Sequence, residues 1–271
     1  MKLQEKLQEY RGRGKAILAT NFYNLETLEG ILSAAREVKA PIILQLSKSS
    51  IDYIGLEMAV TMARSGLKEY NVEGWVHLDH GDSPELARRC LDAGFDSVMI
   101  DASEKSFDEN VRITSEVVEY ARRYGAHVEA ELGYVAKLGQ SQENLVFTQP
   151  EDASRFVSMT GVDSLAVAIG SAHGFYKDPP HLQIDLLEKI RQATNATLVL
   201  HGGSGIPEEM LLKAVSHGIT KINLATEIKD TYMRALRQQM EKTSEIDLRK
   251  VFPLAITSVT ELIKSKLLLL T

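Results

Sequence analysis

Eight short apolar runs, each giving way to a stretch with helical periodicity, constrain this chain more than any other feature of its sequence. The runs fall at residues 16–20, 41–46, 75–78, 97–100, 127–132, 164–169, 197–200 and 221–224. The second is apolar at nearly every position, as strands buried on both faces are. Between the runs, apolar residues recur three and four apart, as Leu25, Leu28, Ile31, Leu32, Ala35 and Val38 do, which predicts amphipathic helices. Helices are expected over 24–38, 56–64, 83–93, 107–124, 151–160, 182–194, 207–217 and 226–241. Ser83 and Pro84 open the third of these as N-cap and first helical residue. Such alternation argues for an α/β protein with a parallel sheet. Eight units in 271 residues is the size of a (β/α)8 TIM barrel, here a single domain over 1–271. An open doubly wound sheet is the rival, but the strand count and the lack of a linker-like boundary favour the barrel. Leu3 and Leu7 predict an N-terminal helix. The apolar tail 267–270 reads as the end of a C-terminal helical extension or as part of a subunit interface.

A barrel collects its functional groups at the C-terminal ends of its strands. His80, His173 and His201 follow the third, sixth and seventh runs, and Asp79, Asp101 and Glu131 follow the third, fourth and fifth. Six metal-competent or acid–base residues are thereby brought to one mouth. Three imidazoles with an open fourth position suit a catalytic Zn2+. Asp79 then serves either as an orienting partner of a histidine or as a general acid or base. Asp101 and Glu131 either pair with barrel lysines or act as supporting or alternative metal ligands. His77, His127, His181 and His217 read as structural. The Gly202-Gly203-Ser204-Gly205 turn, ahead of a helix start at Pro207, offers backbone N–H groups to an anion. Asn223, Ala225 and Thr226 lie at the same rim, where barrels often hold phosphate; Thr226 can also cap the helix that follows.

Composition excludes several other classes. A formal net charge of −6 leaves no basic footprint for nucleic acid. Cys90 is the only cysteine, so neither an internal disulfide nor a cysteine-built zinc knuckle is possible. The first ten residues lack the apolar core of a signal peptide. No run approaches the roughly 20 apolar residues of a membrane span. A cytoplasmic protein without membrane or nucleic-acid partners is expected.

Taken in order, the motifs resemble those of the class II, zinc-dependent ketose-bisphosphate aldolases. The matching segments are 21–26 (NFYNLE), 77–80 (HLDH), 97–103 (SVMIDAS), 128–133 (VEAELG), 168–174 (AIGSAHG), 199–205 (VLHGGSG) and 221–226 (KINLAT). Each alone is weak; the ordered set is specific and spans nearly the whole chain. The resemblance implies that His80, His173 and His201 ligate the zinc. It makes Asp79 the acid that handles the proton on the aldehyde-derived oxygen. It gives Gly174, Gly202, Gly203, Ser204, Asn223, Ala225 and Thr226 to dihydroxyacetone phosphate, and Ser47 to a substrate contact. A monovalent cation near Gly170–Gly174 is also implied. The chemistry suits the residues: breaking a C–C bond beside a ketone builds an enediolate, which a Lewis-acidic metal stabilises without a Schiff-base lysine.

The chain departs from the family pattern after the fifth run. The usual glycine pair and acidic cluster are replaced by 134–143, where Glu143 is the one carboxylate and so takes the role of base. Ala225 resembles the tagatose-bisphosphate branch. Arg249 resembles the arginine that reaches a neighbouring subunit's site to hold the second phosphate, although Leu248 stands where the family has proline. The expectation is an aldolase, working as a homodimer or homotetramer, that cleaves tagatose or fructose 1,6-bisphosphate to dihydroxyacetone phosphate and glyceraldehyde 3-phosphate. The alternatives are a class II aldolase for a sulfonated or deoxy sugar phosphate, and a sugar-phosphate-binding protein without turnover.

Overall fold

The computed structural model describes residues 1–133, 135, 147–176 and 180–271. Among these, eight parallel strands close in chain order into a barrel: β1 (Ile17–Asn21), β2 (Ile42–Ser47), β3 (Gly74–Gly81), β4 (Ser97–Ile100), β5 (His127–Leu132), β6 (Ser164–Val167), β7 (Thr197–Leu200) and β8 (Ile219–Leu224). β8 returns to pair with β1, matching Ile17 to Lys221 and Ala19 to Asn223. The rival open sheet is thereby excluded. Helices α1 (Leu3–Gly12), α2 (Leu25–Val38), α3 (Lys48–Ile54), α4 (Leu56–Glu69), α5 (Pro84–Asp92) and α6 (Phe107–Ala121) belong to the first half. They are followed by α7 (Pro150–Thr160), α8 (Ile184–Ala193), α9 (Glu208–Ser216), α10 (Thr226–Lys242), α11 (Leu248–Val251) and α12 (Pro253–Leu270). Among the described residues no helix is long and apolar enough to cross a membrane.

Period-two alternation divides each strand between two environments. Outward residues such as Leu18, Leu44, Val98 and Leu198 join the helices in one continuous apolar core. The lumen is different. Leu3, Leu7 and Tyr10 of α1 close its floor against Ile17, Ile43 and Trp75, and the Trp75 indole N–H donates to the Met1 carbonyl at 3.2 Å. Above this floor Met99, Ala166 and Val199 form a small apolar layer. Of the polar inward positions, Ser97, His127, Ser164 and Thr197 stand at the base, while Gln45, Asp79, Glu129, Glu131, Lys221 and Asn223 stand toward the mouth.

Two elements depart from the expected pattern. α3 was not anticipated; the Ser47 side chain caps it by accepting from the Ser50 N–H at 3.4 Å. α4 runs on to Glu69, five residues past the expected end. The tail belongs to an 18-residue helix, α12, whose Ile263, Leu267 and Leu270 are buried and which packs chiefly against α2 and α10. Gly30 allows that close approach, since a Cβ there would lie 2.9 Å from the Val259 Cβ.

Candidate active site

The strand alternation that sends Asp79 into the lumen would send His80 outward to the helices. The backbone changes this. His80 adopts a left-handed φ of 50°, and the β3–β4 register shifts between Leu78 and Gly81. Both neighbours therefore face the mouth. A non-glycine residue held left-handed costs on the order of 1–3 kcal/mol, strain that tends to collect at functional sites. Gly81 permits the close return: a Cβ there would sit 2.6 Å from the Met99 carbonyl oxygen.

Three imidazoles then meet. Ring nitrogens of His80, His173 and His201 lie within 4.8 Å of one another, with ring centroids 4.7 Å apart for His80–His201 and 4.9 Å for His80–His173. Two of the rings are oriented from behind by carboxylates. Asp101 Oδ2 holds His80 Nδ1 at 2.8 Å, and Glu129 Oε1 holds His201 Nε2 at 2.8 Å. This leaves His80 Nε2 and His201 Nδ1 turned toward each other, 2.9 Å apart. Carboxylate-backed imidazoles with their second nitrogens aimed at one point are how proteins prepare a cation site. The donor set fits a divalent ion that favours nitrogen, zinc above all.

The electrostatics agree. Burial opposes a charge on His80, yet Asp79 and Asp101 outweigh it and raise its pKa to about 9. Burial and the charge on His80 lower His173 to about 3. Burial also lowers His201, against the pull of Glu129. In the metal-free protein His80 is thus the imidazolium, its Nδ1–H donating to Asp101 and its Nε2–H to His201 Nδ1. Asp79 is pushed up by burial but held below the usual carboxylate range by His80, His201 and the Asn21 amide, which donates at 2.9 Å.

Asp101 and Glu131 form a second group with His80. Asp101 also accepts from the Ser103 N–H and hydroxyl at 3.1 and 2.7 Å. Burial, followed by repulsion from Asp101, raises Glu131 to about 8; one of its oxygens accepts from the Val135 N–H while the other has no partner among the described residues. Among the described residues neither carboxylate pairs with a lysine. Lys221, which enters the lumen, meets Glu129 instead, at 2.7 Å.

Beside the histidines a cleft is lined by Gly174, Gly202, Ser204, Asn223, Ala225 and Thr226, with Asp79 at its inner wall. Asn223 donates to Asp79 Oδ1 at 3.3 Å. The loops after β6 and β7 touch closely here: a Cβ on Gly202, whose φ is 67°, would lie 2.3 Å from the Ala172 carbonyl oxygen. Tyr176 fastens the two, its hydroxyl accepting from the Ala172 N–H at 2.7 Å and donating to the Gly202 carbonyl at 2.9 Å. Gly203 turns away, its N–H committed to the Asn223 carbonyl at 3.0 Å. Thr226 is the first residue of α10 rather than its cap. The acceptor for the helix N-terminus is the Ser204 hydroxyl, which takes the Glu227 N–H at 3.3 Å.

Ser47 pairs across β2–β3 with Asp79, although its hydroxyl faces Ser49 and Ser50. Arg249, exposed on α11, makes two 3.0 Å bonds to Asp247 and does not reach its own cleft. Glu143 lies outside the described residues. A cavity of about 980 Å3 opens at the opposite end of the barrel beneath Trp75 and His127. It contains none of the three clustered histidines. Glu129, Lys221 and Tyr176 were not singled out in the sequence. For the first two a signal existed: Glu129/Glu131 and Lys221/Asn223 are charged or polar pairs spaced two apart within apolar strands, the spacing of inward positions. Tyr176 carried none.

A closed (β/α)8 barrel with three clustered histidines at its C-terminal mouth, two of them backed by carboxylates, is the build of a metal-assisted enzyme. The chain belongs to the family described as fructose-bisphosphate aldolase class-II, whose model matches residues 1–271. It is 45% identical over 248 residues to a fructose-bisphosphate aldolase of Geobacillus stearothermophilus, covering 88% of this chain and 86% of that one. It is 40% identical over 273 residues to a probable fructose-bisphosphate aldolase of Bacillus subtilis strain 168, covering 98% and 95%. Among solved structures it resembles the YdjI aldolase of Escherichia coli K12, with a TM-score of 0.89 and 33% identity over 99% of this chain and 96% of that one. The protein is therefore a class II aldolase, a carbon–carbon lyase.

Proposed function

We propose that this aldolase reversibly cleaves a ketose 1,6-bisphosphate between C3 and C4, giving dihydroxyacetone phosphate and glyceraldehyde 3-phosphate, with zinc held by His80, His173 and His201. The observation that carries the reading is the convergence of three imidazole nitrogens within 4.8 Å beside a glycine-lined cleft whose inner wall is Asp79. When bound, zinc supplies Lewis-acid polarisation of the substrate carbonyl. Asp101 and Glu129 fix the imidazoles that hold it. Asp79, kept ionised by its surroundings, takes the proton from the C4 hydroxyl as the C3–C4 bond breaks, and returns it in the condensation direction. Glu143 is assigned the proton at C3. The N–H groups of Gly174, Gly202 and Ser204 and the N-terminus of α10 hold the phosphate of the dihydroxyacetone half.

The other half sets substrate choice. Relatives bearing the fructose-bisphosphate name favour one C4 epimer, while Ala225 in the cleft favours tagatose. Arg249, free of its own cleft, serves the second phosphate in a neighbouring subunit, so the enzyme works as a dimer or a larger oligomer. Metal analysis combined with turnover on fructose and tagatose 1,6-bisphosphates and on sulfonated and deoxy analogues tests the whole reading. Zinc near one per chain and turnover of a bisphosphate are expected. Full activity after metal removal would overturn the zinc assignment, and exclusive turnover of a sulfonated or deoxy analogue would overturn the substrate.

A further inference from the structure

We propose that Lys221 is a positioning residue for the metal centre, acting through Glu129 to hold His201 in the tautomer that presents its Nδ1 lone pair to the histidine cluster. The inference rests on the zinc reading above and adds a residue to it. Lys221 stands on β8, two positions before Asn223, with its side chain 1% exposed in the lumen below the mouth. Its Nζ has three acceptors for three N–H bonds. They are Glu129 Oε2 at 2.7 Å, His77 Nε2 at 3.4 Å, and the Gln45 amide oxygen, in the orientation that satisfies both ends of that amide, at 3.2 Å.

Each acceptor fixes the group behind it. His77 Nε2 accepts, so its Nδ1–H donates to Ser97 Oγ at 2.7 Å. The Glu129 carboxylate, with no exposed surface, is counterbalanced by the ammonium, and an ionised carboxylate can only accept. The 2.8 Å contact between Glu129 Oε1 and His201 Nε2 is therefore donated by the imidazole. A neutral imidazole with its proton on Nε2 has its lone pair on Nδ1, the nitrogen that faces His80 Nε2 at 2.9 Å. A ligand nitrogen must be unprotonated. Without Lys221, Glu129 Oε2 loses its 2.7 Å partner, and the carboxylate that fixes the ring and tautomer of His201 is no longer held in place.

Stability alone is a poor reason for this arrangement, because a buried ion pair is often matched or bettered by apolar side chains of similar volume. The lumen elsewhere uses such packing, at Met99, Ala166 and Val199. Lys221 does not line the cleft; it reaches the histidine cluster through Glu129.

Lys221→Met, Lys221→Arg and Glu129→Gln are compared with the parent for zinc affinity, by competition with a chromogenic chelator, and for the visible spectrum of the cobalt-substituted protein. Circular dichroism establishes folding. Lys221→Met and Glu129→Gln should each bind zinc roughly 10–100-fold more weakly, the range for partners of metal-ligating histidines, with an altered cobalt spectrum. Lys221→Arg should stay nearer the parent. A folded Lys221→Met protein with parental affinity and spectrum overturns the proposal. Should that variant not fold, long-range proton–nitrogen spectra of the metal-free parent decide: His201 protonated on Nδ1 overturns it, and on Nε2 supports it. Loss of zinc binding in none of the three single histidine-to-alanine variants would overturn the zinc reading itself, whatever Lys221 does.

Discussion

Asp79 and His80 are adjacent, both face the mouth, and are assigned different roles in the proposed reaction. Asp79 is assigned proton transfer, so Asp79→Asn should lower kcat by about 10²–10⁴-fold, the usual worth of a positioned acid or base, while zinc content stays at the parent level. A parallel loss of zinc would mean that Asp79 acts through the metal site. His80 is assigned ligation, and its proton sets a pH dependence. With a pKa near 9 in the metal-free protein, His80 must release a proton before it can ligate. Zinc affinity should therefore climb about tenfold per pH unit from pH 6.5 toward 9 and then level off. Isothermal titration in buffers of differing ionisation enthalpy should show about one proton released per zinc at pH 7. The same shift carries a stability consequence. The folded value lies above the unfolded one of about 6.5, so the metal-free fold holds the extra proton, and the stability it brings is present below 6.5 and lost as pH rises through 9. The thermal midpoint of the metal-free protein should fall over that window, and His80→Gln should flatten the fall.

The elements show why some of this was legible in the sequence and some was not. Strand–helix alternation is a local pattern, so eight strands and the closed barrel could be read from it. The histidines at strand ends followed, because barrel topology brings those ends together whatever their separation in sequence. What escaped depended on tertiary geometry. The left-handed backbone at His80 comes from a register shift against β4. α3 is one short cap-and-turn after a strand, too brief for periodicity to show. Ser204 caps a helix that starts 22 residues later because β7 and β8 are neighbours. The clasp between the loops after β6 and β7 is of this kind too. In Gly202→Ala the new methyl would meet the Ala172 carbonyl at 2.3 Å in a left-handed turn, forcing those loops apart. A lower thermal midpoint and a raised KM for dihydroxyacetone phosphate in condensation are expected, and an unchanged KM would show that the cleft tolerates the separation.

At the scale of the whole molecule, the proposed reading has the barrel supply one half of the substrate site and leave the other open. Everything that would hold dihydroxyacetone phosphate comes from loops at one mouth. The candidate for the second phosphate, Arg249, stands on the outer surface with its side chain 89% exposed. An exposed ion pair such as Arg249–Asp247 is worth only about 0–1 kcal/mol, so Asp247 holds the arginine only loosely against a phosphate offered by another subunit. Arg249→Ala should raise KM for a ketose 1,6-bisphosphate by roughly tenfold or more, as loss of a charge-assisted bond does, and leave cleavage of the 1-phosphate alone. Subunit mixing gives the sharper result. Arg249→Ala and His201→Ala proteins are each impaired on the bisphosphate, but a mixed dimer contains one site with an intact His201 and, from its neighbour, an intact Arg249. Denaturing and refolding the two together should restore bisphosphate turnover above the sum of the separately refolded proteins. A mixture no better than that sum would place Arg249 outside the neighbour's site, and the second phosphate would then have to be held by residues of the same chain.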